Sequence, residues 1–256
     1  MNVFIFDIET IPDTDSGRRL YQLDGLSDED VAKAMVALRQ EKSKTEMLPL
    51  YLQKVVAISV ALRQQDKFNV WSLGDRDTPE KELIQRFYAG IEKYMPTIVS
   101  WNGNGFDLPV LHYRSLLHKV PASCYWETGN HDQSFRWNNY LNRYHYRHID
   151  LMDVLAAYNF HANAPLDAIA TMLGFPGKMG MEGSQVWGNY LQGKIENIRH
   201  YCETDVLNTY LVYLRFELIR GILNEEIYEQ ECETVKEFLR QKDQPHFTEF
   251  LQKWQD

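Results

Sequence analysis

Cysteine is scarce and unpatterned in this chain of 256 residues: Cys124, Cys202 and Cys232 are odd in number, far apart, and form no Cys-x-x-Cys. That argues against a disulfide framework and a thiolate metal site, and fits free thiols in a reducing compartment. Long uncharged apolar runs are absent too, so no helix able to cross a bilayer and no membrane partner is expected. Glycine followed by Lys-Ser or Lys-Thr does not occur, so the glycine-rich stretch 174–180 is not an ATP-binding loop. Repeats and low-complexity tracts are missing. So is any basic excess: 27 Lys and Arg against 36 Asp and Glu leave a net charge of −9. Lys and Arg supply most non-specific affinity for nucleic acid, and bound divalent cations would offset part of the deficit locally. If nucleic acid is the partner, this balance implies weak or distributive binding, or a recruiting protein.

What is present is an ordinary globular composition, 44% hydrophobic and 25% charged, long enough to build a core without cross-links. Positions 3–8 are apolar on both faces, as in a central strand covered on two sides. The sequence opens directly on that strand, without a basic stretch or cleavage site, and a cytoplasmic protein is expected. Ser27 and Asp30 have capping-box spacing, and Val31, Met35 and Leu38 behind them share a helical face. This helix lies in an insertion over 14–50. Residues 55–62 and 68–73 read as strands joined by a turn at 64–66. Thr78-Pro79-Glu80 opens a helix with proline at its first position and Leu83, Ile84, Phe87 and Ile91 as its buried stripe. A short strand over 97–101 follows, then helices near 108–117, 151–158 and 165–173, and a long one over about 195–218. From Glu225 on the sequence reads as helical and polar. The order specifies an α/β sandwich, a mixed central sheet flanked by helices. One domain over 1–222 would carry a helical C-terminal extension over 223–256.

Three groups of residues carry chemistry. Asp7 and Glu9 share one face of the first strand. Two carboxylates there repel and are costly to desolvate unless compensated, and oxygen donors favour Mg²⁺ or Mn²⁺; a strand end reaching solvent is the plain alternative. Asn102-Gly103-Asn104-Gly105-Phe106-Asp107 follows the short strand, with glycines that permit close approach. Asp107 could equally serve the helix start beside it. Tyr201 and Asp205 are one turn apart on the long helix, or simply a core aromatic and a surface charge.

In combination, Asp7-Ile8-Glu9, Asn102-x-x-x-Phe106-Asp107 and Tyr201-x-x-x-Asp205 resemble the three motifs of the DEDD superfamily of 3′→5′ exonucleases, in its tyrosine-bearing branch. Tyr201-Cys202-x-x-Asp205-Val206 is similar to the third motif of the proofreading domain of B-family DNA polymerases. The nearest resemblance is to stand-alone predicted exonucleases related to that domain, from Val3 to about Leu214. It implies an RNase H-like fold and two metal ions, Mg²⁺ or Mn²⁺, roughly 3.5–4 Å apart, clamping the attacking and leaving oxygens. By the same resemblance Asp7 bridges the metals, Glu9 and Asp205 complete the site of the attacking water, Asp107 supports the second metal, and Tyr201 orients the water. Thr10, Asn102 and Phe106 would touch a single-stranded 3′ end. The motifs do not separate DNA, the favoured substrate, from RNA, and a catalytically silent binding module of the same fold is the rival from another class.

Around these motifs, residues 124–147 are rich in aromatics interleaved with arginines. Arg136 and Trp137 suit contact with a single strand, unless the segment carries a small core of its own. Lys178, in the glycine-rich loop, is placed to touch a phosphate. Asp150 is explained by helix capping, and His145 and His148 by solvent or core positions, so none joins the catalytic set. The helix over 27–40 and the tail are the places expected to meet a recruiting protein.

Overall fold

The computed structural model describes residues 2–255. Five strands form one sheet in the order β3-β2-β1-β4-β5. The apolar run at the start becomes β1 (Asn2–Pro12), third of the five. Helices α1 (Thr14–Tyr21) and α2 (Asp28–Ser43) follow, the second capped by the Ser27 hydroxyl on the Asp30 amide. β2 (Gln53–Gln64) pairs antiparallel with β1 and turns into β3 (Lys67–Ser72). Pro79 is the N-cap of α3 (Glu80–Tyr94), one place earlier than its spacing suggested, with all four expected stripe residues buried. β4 (Thr97–Ser100) then runs parallel to β1, and β5 (His148–Asp150) parallel to β4. Between them lies α4 (Asp107–His118). Short helices α5 (Leu151–Leu155), α6 (Leu166–Met172) and α7 (Val186–Leu191) lead to the long α8 (Ile195–Ile219). This is a mixed α/β sandwich of the RNase H-like kind.

Strand alternation decides which helices cover which face. Phe4, Phe6 and Ile8 pack with Leu83, Ile84, Phe87 and Leu111 of α3 and α4. Val3 and Ile5 face the other way, against Val206, Tyr210 and Leu211 of α8. Asp7 and Glu9 continue this second row and therefore look towards α8.

The tail departs from its polar reading. α9 (Glu225–Lys242) and α10 (Pro245–Lys253) bury Val235, Phe238, Leu239, Phe247 and Phe250 in the core that holds Val3 and Ile5. Glu231 closes a buried pair with Arg63 of β2 at 2.7 Å and accepts from the Tyr210 hydroxyl at 2.9 Å. Charge dominates the composition of these helices, and their apolar stripes are narrow enough to be masked by it. Among the described residues no helix is long and apolar enough to cross a membrane.

Candidate active site

β4 ends where β1 continues, and the edge of β1 beyond Ile5 loses its parallel neighbour. The Ile8 amide is taken instead by a carboxylate oxygen of Asp107, at 3.2 Å. Asp107 is the first residue of α4, with Phe106 as N-cap, and its side chain both reaches across to β1 and accepts from its own amide at the helix start. The loop before it is held by Asp150, whose carboxylate accepts from the amides of Asn102 at 2.9 Å and Asn104 at 2.8 Å besides capping α5. A Cβ on Gly103 would fall 2.2 Å from the Ser100 hydroxyl, so glycine there serves close packing. Asn102 takes the left-handed conformation, φ 64°, which asparagine tolerates.

α8 supplies the other half. Ile198 and Tyr201 pack with Ile11 and Ala57, which seats the helix across β1. The buried Cys202 thiol lies 3.3 Å from a carboxylate oxygen and 3.3 Å from the carbonyl of Asp7. Asp7, Glu9 and Cys202 each offer a ligand atom within 4.8 Å of the others. Sequence reading left out Cys202; its place directly after Tyr201 turns it towards the same strand. A β-bulge falls after Glu9, opposite Val55 and Val56, and Val55 donates its amide to Glu80 at 2.7 Å. Glu80 belongs to a buried network in which Arg114 bonds it twice, at 2.7 and 2.6 Å, and also binds Asp13; His118 adds a contact at 2.7 Å. Asp13, the N-cap of α1, thus ties the insertion to the strand pair that carries Glu9.

The electrostatics are those of an uncompensated acidic pocket. Burial, then repulsion from Asp107, Glu9 and Asp205, raises Asp7 well above the usual carboxylate range. Burial and Asp205 and Asp107 do the same to Glu9, against the pull of Lys178. Burial pushes Asp107 up to about 7. Asp205 is pushed to about 7 by burial too, although the Tyr201 hydroxyl and Lys178 favour its charged form. Glu9 is only 8% exposed. Four carboxylates raised by burial first, with mutual repulsion added at Asp7 and Glu9, are the hard oxygen donors that a divalent cation satisfies. Tyr201 is raised far above its ordinary value by burial and by Asp205, Glu9 and Asp7. It keeps its proton and acts as a donor.

Beside this cluster opens a cavity of about 440 Å³ lined by Trp101, Asn102, Lys178 and Asp205, among others. The glycine loop is not loose here. Asn208, one turn after Asp205, accepts from the Gly177 amide at 3.2 Å and donates to its carbonyl at 2.9 Å. Gly177 has φ 64°, and a Cβ on it would meet Asp167 at 2.6 Å. Lys178 therefore stands where it acts on both Glu9 and Asp205. The spacing Asp205-x-x-Asn208 was the available sign of this clamp.

The remaining sequence candidates are divided. Thr10 bonds Gln53 at 3.0 Å next to the bulge, and Phe106 leans on the core under α4. Arg136 and Trp137 are not brought to the carboxylates. Their segment has no separate core among the described residues: it buries Tyr125, Phe135 and Tyr140 in the core that holds Phe87 and Leu111, and the Tyr140 hydroxyl bonds Pro96 at 2.8 Å, just before β4. The carboxylates gather beyond the other end of that strand. His148 is a core residue, bonded to Ser100 at 2.8 Å and pushed down to about 3 by burial. His145 accepts from the Asn139 amide at 3.0 Å, with His ring roles set by tautomer.

Over residues 45–254 the chain matches the family described as predicted 3′-5′ exonuclease related to the exonuclease domain of PolB. It belongs to that family. Asp107, Tyr201 and Asp205 lie inside the match, whereas Asp7 and Glu9 lie before it and are joined to them by the fold. No curated protein sequence matches the chain.

Proposed function

We propose that this member of the family hydrolyses the terminal phosphodiester at the 3′ end of a single strand, DNA before RNA, releasing nucleoside 5′-monophosphates. The observation that carries the reading is the convergence of Asp7, Glu9, Asp107 and Asp205 with a protonated Tyr201 at one end of the sheet. Nuclease domains of this kind use divalent metals. Two Mg²⁺ or Mn²⁺ ions, when bound, would supply an activated water and charge neutralisation for an in-line displacement.

Asp7 would lie between the two ions, Glu9 and Asp205 on the side of the attacking water, and Asp107 on the other. Tyr201 donates a hydrogen bond and so fixes the direction of the water; its raised pKa removes it as a base near neutral pH. Lys178 at the cavity mouth meets a phosphate oxygen. Asn102 and Phe106 border the path of the terminal nucleotide, and Thr10 steadies the end of β1.

A digestion ladder tests this. Single-stranded DNA and RNA of one sequence, labelled at the 5′ end, are incubated with Mg²⁺, Mn²⁺ or EDTA, beside Asp205→Ala. A descending ladder lost with EDTA and with the variant is expected, and faster in DNA. Intact strands bound without metal would leave a silent binding module in its place.

A further inference from the structure

We propose that Arg143, Tyr144, Tyr158 and Phe160 form a stacking platform for the bases upstream of the scissile bond. The protein would then favour strands several nucleotides long over a single nucleotide ester. The inference rests on the exonuclease reading and adds where the strand runs.

The chain between α5 and α6 borders the cavity: Asn163, Ala164 and Pro165 line it, and the Trp101 ring donates to the Ala164 carbonyl at 3.2 Å. Phe160 begins a helical turn just before Asn163 and is 74% exposed, its ring centre 3.8 Å from that of His161. Tyr144, 67% exposed, meets Tyr158 edge-on at 4.9 Å. The Arg143 guanidinium lies 5.0 Å from the Tyr158 ring centre. The ring faces and the guanidinium suit bases of any sequence.

Two observations tie the rim to the site. Asp153 accepts from Arg143 and from the Asn104 side chain, each at 2.9 Å, so one carboxylate joins the rim to the loop that delivers Asp107. Ala157 and Tyr158 are both left-handed, at φ 51° and 59°, and neither is glycine. Consecutive strained residues of this kind persist where surrounding structure fixes them, commonly at functional sites. Here the Tyr158 amide is held by the Asp153 carbonyl at 2.7 Å.

The test compares an eight-nucleotide strand with the p-nitrophenyl ester of thymidine 5′-monophosphate, which has no upstream base. The wild-type protein is expected to prefer the longer substrate in kcat/KM. Phe160→Ala should lose about tenfold of that preference, and Phe160→Trp should keep it. A preference undiminished in Phe160→Ala, or none in the wild type, overturns the platform and leaves the exonuclease reading standing. A wild-type protein that cleaves neither substrate overturns both.

Discussion

At the scale of single residues, the acids of the site work against the metal-free fold. Asp107 and Asp205, each near 7 when folded, bind more protons there than in the unfolded chain between about pH 4 and 7. Stability of the metal-free protein should therefore fall as pH rises through that interval, the reverse of the usual salt-bridged carboxylate. Thermal melts at pH 5 and 7.5 would read it: Mn²⁺ is expected to raise Tm clearly at 7.5 and little at 5, because protonated carboxylates bind poorly. Asp205→Asn should raise the metal-free Tm at pH 7.5 by a few degrees, while Asp205→Ala and Asp7→Ala abolish turnover. For Tyr201→Phe, kcat should drop by about 10- to 100-fold with activity still measurable, as for loss of a group that orients a metal-bound ligand. A wild-type rate in that variant would remove Tyr201 from the mechanism. The five motif residues were legible in sequence because carboxylates and a tyrosine at strand and helix spacing leave a pattern. Cys202 and Asn208 were not singled out, because each acts through a contact made only in the fold, Cys202 with Asp7 of β1 and Asn208 with Gly177.

At the scale of elements, β1 was readable from its apolar run, α8 from its start and stop signals, and the α3 stripe from its periodicity. The helices of the insertion and the tail were readable too, but not what they dock against, because the contacts that fix them are long-range. Asp13 reaches Arg114 across 101 residues of sequence, and Glu231 reaches Arg63 across 168. Glu80→Ala would leave Arg114 buried with one partner fewer and free the Val55 amide. A loss of about 3–5 kcal/mol in urea unfolding is expected, together with weaker Mn²⁺ binding by calorimetry through displacement of Glu9. Phe238→Ala, in a helix that composition made look peripheral, should cost about 3–5 kcal/mol as well. A surface appendage would cost almost nothing.

On the scale of the whole molecule, a net charge of −9 and a cleft that engages few cations go together. If Lys178 and Arg143 make the phosphate contacts, log affinity should fall with log salt at a slope of about −1.4. Fourfold more salt would then weaken strand binding about sevenfold, measurable by fluorescence anisotropy with Ca²⁺ in place of the catalytic ion. A much steeper slope would point to a basic path elsewhere on the surface. The position of α8 across β1 also sets an order of events. Asp7 and Glu9 are made on the first strand of the sheet, and Tyr201 and Asp205 only after all five strands. A chain still on the ribosome, or one ended early by a stop codon, carries carboxylates on a strand and nothing to complete them. Whatever the site cleaves, it waits for α8 to be made and laid across β1.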